Sequence, residues 1–237
     1  MAPRFGILDG DELVVLSGDP MYLGYETLDE RVPLADATLL APVIPRSKIV
    51  GLVARDNDDE DGVSEPIVYL KPNTTVVGPG DSVKVPDGIG TVKAFGALAI
   101  VIGSIAKSVQ PGDGAQVVFG YTVANDVTAT DLMVADGQWA RAKGYDSFAP
   151  LGPYIETELD TDTVEIIVDV DGDERMRGTI ATQVAAAVEA ASDIFTLLPG
   201  DLLLLPLVDG VELDDGVTVE VTIPPIGTLR SDIRTRA

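Results

Sequence analysis

Carboxylates dominate the side chains of this sequence that could do chemistry. Residues 56–62 read DNDDEDG and residues 169–173 read DVDGD. Clustered carboxylates are the hard oxygen donors that Ca²⁺ and Mg²⁺ take. The first run has acidic spacing loosely like that of a calcium loop. Counted from Asn57, however, the twelfth position is Val68, where a bidentate Glu is needed. It reads as a solvated loop. The second run joins two strand-like segments and reads as a hairpin turn. GPGD at residues 78–81 has no following helix and no Lys-Ser/Thr, so it is a turn and not a phosphate loop. The chain has no His and no Cys. That removes imidazole as a general base, along with thiolate catalysis, disulfides and Cys-based metal sites.

The elements that must position any site sit in a chain of 237 residues, 46% of them hydrophobic. That is enough for one sizeable core with a small appendage. The formal charge is −23, from 39 acidic and 16 basic residues. Such a surface repels nucleic-acid phosphates and anionic lipids, so neither is expected as a partner. The charge favours solubility; a salt-rich cytoplasm and a basic partner are further readings of it. The longest apolar stretch, residues 97–105, is broken by Gly103 and is too short to span a membrane. The opening MAPRFGILDGDE lacks the basic-then-apolar pattern of a signal peptide, and the expected location is the cytoplasm.

Residues 5–8 and 13–16 flank an Asp-Gly-Asp-Glu turn and predict a hairpin. Pro33, Pro42 and Pro45 then punctuate a linker. The expected division is a small N-terminal β domain with linker over residues 1–46 and a larger domain over residues 47–237. In the latter, strands are predicted over residues 48–54, 66–71, 92–102, 116–123, 202–208 and 217–223, with a hairpin over residues 164–177. Residues 128–136 have helical character with Asp126 or Thr128 available as cap. Residues 181–197 are the clearest helix, ended by Pro199-Gly200. Many short strands and few helices predict a β-rich α+β fold.

Seven segments give the chain a family likeness: SKIV, YLKPNTTVVGPGD, LAIVIGSIAKSV, GYTVANDVTATDL, QWARAKGYDSFAPLGPYI, LLPGDLLLLPLVDGV and IPPIGTLRSDI. In this order, from Ser47 to about Leu229, they resemble the fumarylacetoacetate hydrolase family. The N-terminal segment is similar to that of bacterial members named as hydroxyheptadienedioate isomerases, acylpyruvate hydrolases or oxaloacetate decarboxylases. The resemblance implies a mixed, strongly twisted β-roll, usually a homodimer. It also implies a site in which a Glu-x-Glu and an Asp hold Mg²⁺ or Mn²⁺ and a His–Glu pair activates water.

Residue by residue, the resemblance carries over in part. Asp126 matches the metal-ligating Asp, Lys143 the pocket lysine with a catalytic role, and Ser147 a hydroxyl position near the metal and substrate. Phe95 and Ala97 stand in the two Glu places, and neither can ligate a metal. Leu205 and Leu207 take the places of two Thr in the loop that holds a substrate carboxylate. Pro206 there removes an N–H donor. Thr130 replaces an Arg, and Asp59 or Glu60 falls in the His place. Apolar residues replacing polar ones in pairs predict a smaller, drier pocket, with Lys143 rather than Mg²⁺ neutralising a buried Asp126. The expected function is a non-catalytic, structural or regulatory member without a cofactor, as a homodimer or a heteromer with an active paralogue. The alternative is a diverged enzyme that holds Mg²⁺ or Mn²⁺ weakly and acts on a small 2-oxo or acylpyruvate-type acid.

Overall fold

The computed structural model describes residues 3–22, 24–54 and 66–236. The acidic run at residues 56–62, with Asp59 and Glu60, lies outside the described residues. The chain forms two compact units, residues 1–39 and 40–237. Residues 40–46, expected as linker, belong to the larger unit because Leu40 and Ala41 pack directly against Gly78.

The small unit is an antiparallel sheet of β1 (Gly6–Asp9), β2 (Glu12–Leu16) and β3 (Thr27–Pro33). The turn at Gly10, with φ 65°, makes the predicted hairpin. β3 was not legible, because TLDERVP is almost wholly exposed and shows no apolar alternation.

In the large unit, one sheet runs in the order β5 (Ile67–Lys71), β4 (Ile49–Val53), β15 (Leu202–Pro206), β9 (Gly96–Ile102), β10 (Val118–Asn125), β12 (Ala149–Glu156), β6 (Val76–Val77). A second runs β14 (Asp173–Thr179), β13 (Glu165–Val170), β17 (Thr218–Ile223), β18 (Gly227–Arg236), β7 (Ser82–Pro86). A third joins β11 (Thr128–Ala129), β8 (Val92–Ala94) and β16 (Val211–Glu212). Parallel pairs occur at β4–β15, β6–β12 and β7–β18, so the architecture is mixed, β-rich α+β.

The core lies between the first two sheets. Alternate residues Leu98, Ile100 and Ile102 of β9 face Ile166, Val168, Val219 and Val221. Gly96 is required where the sheets come closest: a Cβ there would sit 2.8 Å from Ile166 and Val168. The other face of β9 carries Ala97, Ala99 and Val101, all fully buried, and this face leads to the site.

Among the described residues the unit's α-helices are α1 (Thr130–Asp136), α2 (Ala140–Lys143) and α3 (Val184–Ile194). α3 is shorter than the predicted 181–197, and buries Val184, Ala187, Val188 and Ala191 at helical spacing. α1 corrects a second expectation. Its N-cap is Ala129, without a side-chain cap bond, because Asp126 and Thr128 are both engaged elsewhere. No helix among the described residues is long and apolar enough to cross a membrane.

Candidate functional site

Three backbone segments converge where β10 ends. β5 carries Tyr69 and Lys71 two residues apart, hence on one face. Tyr69 lies opposite Gly51 and Lys71 opposite Ile49. Asp126 follows β10, and its N–H donates to the Phe95 carbonyl at 2.9 Å. α2 delivers Lys143 from its last position.

The side chains meet on the Asp126 carboxylate. Oδ1 accepts from Lys71 Nζ at 2.7 Å. Oδ2 accepts from Lys143 Nζ at 2.5 Å and from the Tyr69 hydroxyl at 2.5 Å. Lys71 Nζ also donates to the Val127 carbonyl at 2.9 Å, and Lys143 Nζ to Thr128 Oγ1 at 2.8 Å. The Lys143 ammonium stands 4.1 Å from the Tyr69 ring centroid, 5.5 Å from Phe95 and 5.6 Å from Trp139. Three aromatic faces thus supply cation–π attraction to a desolvated charge.

Burial makes these contacts consequential. The Asp126 and Lys71 side chains are 0% exposed and Lys143 is 4% exposed. Two ammoniums against one carboxylate leave the fully charged cluster at +1. Burial would raise the Asp126 pKa, but the charges and hydrogen bonds of Lys143 and Lys71 outweigh it and pull it down to about 2. Lys71 is pushed down to about 8, first by burial and further by Lys143, against the opposing pull of Asp126. Lys143 is lowered by burial, with Asp126 opposing. Tyr69 is raised well above its ordinary value by burial and the Asp126 charge, so it remains a donor.

Gly51 holds this arrangement open. A Cβ at that position would come within 1.8 Å of the Tyr69 ring. Gly51→Ala is therefore expected to displace Tyr69 from Asp126 and to cost about 1–3 kcal/mol in overpacking. Thermal unfolding checks it: a midpoint within about 1 °C of the parent would refute the close packing.

The donor set does not match a divalent cation. Mg²⁺ takes an octahedral set of oxygens, whereas both Asp126 oxygens are held by ammoniums. Phe95 offers only a ring, packed over Gly210. Ala97 is fully buried, opposite Ala124 and Pro206. Among the described residues, no three Asp, Glu, His or Cys side chains group as ion ligands.

The remaining predicted residues lie elsewhere. Ser147 does not join Asp126 and Lys143; its Oγ accepts the backbone N–H of Lys84 at 2.7 Å. Leu205 pairs with Leu98 and faces the core between the sheets, on the side of β15 away from Ala97. Leu207 belongs to the same core and packs against Gly178. Of the four apolar replacements, Phe95 presents its ring to the Lys143 ammonium, 5.5 Å from the centroid. Lys71 was missed by the sequence reading. Its signal was its place two residues after Tyr69 on a strand, which puts both on one face.

Comparison with known proteins completes the picture. Residues 46–234 match the C-terminal domain of fumarylacetoacetate (FAA) hydrolase, and residues 2–42 match the Rv2993c-like N-terminal domain. Protein Rv2993c of Mycobacterium tuberculosis is 41% identical over 212 residues, covering 85% of this chain and 80% of that protein. The crystal structure of 5-carboxymethyl-2-hydroxymuconate delta-isomerase from Mycobacterium smegmatis superposes with a TM-score of 0.88 at 36% identity, covering 98% of this chain and 94% of that one. The 2-hydroxyhepta-2,4-diene-1,7-dioate isomerase of Mycobacterium marinum gives 0.88 at 35% identity, covering 99% and 93%. With the matching domain spanning nearly all of the β-roll unit that carries Asp126, Lys71 and Lys143, the chain belongs to the fumarylacetoacetate hydrolase family.

Proposed function

We propose that this chain is a non-catalytic member of its family, with a structural or regulatory role and no divalent ion at Asp126. One observation carries the reading. Both oxygens of the one carboxylate in the cluster are bound by Lys71 and Lys143, and the two neighbouring positions that could add ligands are Phe95 and Ala97. A divalent ion would have to displace two buried ammoniums and then find its other ligands in water. The family resemblance supports assembly as a homodimer or with an active paralogue.

A second reading rests on the net positive charge of the cluster. A diverged enzyme acting on a small 2-oxo or acylpyruvate-type acid would use Lys143 to neutralise developing enolate charge. The isomerase names of the structural relatives favour this reaction class.

Calorimetric titration of Mg²⁺ and Mn²⁺, with and without oxalate as a stand-in for a pyruvate enolate, separates the two. The first reading expects no heat up to millimolar metal. Binding near micromolar, about −8 kcal/mol, and lost in Asp126→Ala would overturn it.

A further inference from the structure

A cleft at the β7 edge shares no lining residue with the Asp126 cluster. Its volume is about 670 Å³, within the range that holds small ligands. β7 and β18 run parallel there, with Lys84 beside Arg234 and Pro86 beside Arg236. Register partners share a face, so Lys84, Arg234 and Arg236 stand together on one side of the sheet. Like charges side by side are unfavourable, and this chain carries 39 acidic residues that could have offset them.

The offset is small. Arg234 pairs with Asp232, which also accepts from Thr218 Oγ1. Other described cations do have an acid partner, among them Arg4, Arg31, Lys48, Arg141, Arg177 and Arg230. Among the described residues, Lys84 and Arg236 have none; Lys93, Lys107 and Arg175 share that lack, but only Lys84 and Arg236 of the five line the cleft.

The opposite wall is built rather than incidental. β7 is an edge strand whose outward N–H groups have no strand partner, and the Lys84 N–H goes to a side chain instead. Ser147 Oγ accepts it at 2.7 Å. Ser147 is 3% exposed and takes φ 70°, a left-handed conformation that a non-glycine residue holds only when its surroundings impose it. The bond ties to β7 the turn that carries Tyr145 and Asp146, which also line the cleft. Tyr145, Val77 and Pro86 supply apolar wall, while Asp81 and Asp146 supply acceptors. Asp81 has one oxygen committed to the Gly78 N–H.

We propose that this cleft binds a small hydroxy- or amino-carboxylic acid. Its carboxylate sits between Lys84 and Arg236, its carbon body lies on Tyr145 and Pro86, and its hydroxyl or ammonium hydrogens go to Asp81 or Asp146. The two acids in the wall exclude polyphosphates, which two unpaired cations could not neutralise beside them. The site goes beyond the reading at Asp126 and stands whether or not a metal binds there.

The test is calorimetric titration of L-malate and of L-glutamate into the full chain and its variants. Saturable heat is expected from at least one of the two acids. Lys84→Ala and Arg236→Ala should each weaken it about tenfold or more, as loss of a charged hydrogen-bond donor does. Arg175→Ala should leave it unchanged. Arg175 is exposed, has no acid partner among the described residues, and lies on β14 at the opposite edge of the same sheet. Three results would overturn the proposal: no saturable heat from either acid, equal weakening by Arg175→Ala, or a fall in solution mass on Lys84→Ala showing that a second copy covers the cleft.

Discussion

Asp126→Ala is expected to destabilise the protein by about 3–5 kcal/mol, because it strands charges that burial has cut off from water. Lys71 Nζ would keep only the Val127 carbonyl, and Lys143 Nζ only Thr128 and the surrounding rings. The two ammoniums would also lose the carboxylate that screens each from the other. The cost therefore belongs to the unpaired charges rather than to the lost bonds. A companion variant separates the two: Asp126→Leu with Lys71→Met and Lys143→Met removes every charge at similar volume. It should lie much closer to the parent, since apolar replacement of a complete buried ion cluster is often neutral or stabilising. Urea unfolding of both variants reads the difference. Equal losses in the two would show that packing, not charge, holds this region.

The same cluster sets two limbs of the pH profile. The folded-state pKa of Asp126 is about 2, below its ordinary 3.8. Its contribution is complete above about pH 4 and is lost as the pH falls toward 2. Lys71 has the opposite displacement for a base, about 8 against 10.5. Between those values the unfolded chain holds a proton that the folded chain has released, so this group makes stability rise with pH across that window. Lys71→Met should flatten the alkaline limb. An unchanged slope in that variant would assign the limb to other groups.

Much of this fold was legible because strands announce themselves by period. The apolar residues of 92–102 mark a strand, which the structure divides at Phe95 into β8 and the fully buried β9, and the segments flanking DVDGD formed the hairpin β13–β14. β3 carries no such pattern, because nearly all of it is exposed, whereas β7, SVKVP, does alternate, with Val83 buried and Lys84 exposed, but is only five residues long. At the site, the argument that a buried Asp126 needs a cation pointed to Lys143, whose Nζ lies 2.5 Å away. Lys71 escaped because its partner is 55 residues distant and depends on β5 pairing with β4, which no local signal reports. The proposed helix caps failed for a related reason. Asp126 and Thr128 have cap-forming side chains, but the lysines offered stronger, charge-assisted bonds. The resemblance matches Ser147 to a hydroxyl position near the metal; here that residue is left-handed and its hydroxyl accepts from β7.

If the non-catalytic reading holds, Phe95→Glu combined with Ala97→Glu is expected to create Mn²⁺ binding that the parent chain lacks. The backbone already provides the alignment. Phe95 and Ala97 are two apart, so their side chains leave the chain on one side. The Asp126 N–H bonds the Phe95 carbonyl, and Ala97 lies opposite Ala124. The two new carboxylates would thus lie on the face that carries Asp126. Charge gives the driving force. Lys71 and Lys143 against Asp126 sum to +1; two further carboxylates bring the sum to −1, and a divalent ion then becomes the favoured counter-charge. Removing the Phe95 ring also takes one wall from the cage around Lys143 and frees that ammonium to swing away. Ala97 is fully buried, so circular dichroism must first show the double variant folded; Phe95→Glu alone, with its ring volume vacated, is the milder alternative and should bind more weakly. Titration to an affinity near micromolar, about −8 kcal/mol, is the expected result. If folded protein still takes no Mn²⁺ after Lys143→Met is added as well, then the lysines are not what stands in the metal's place, and the non-catalytic reading must rest on some other loss.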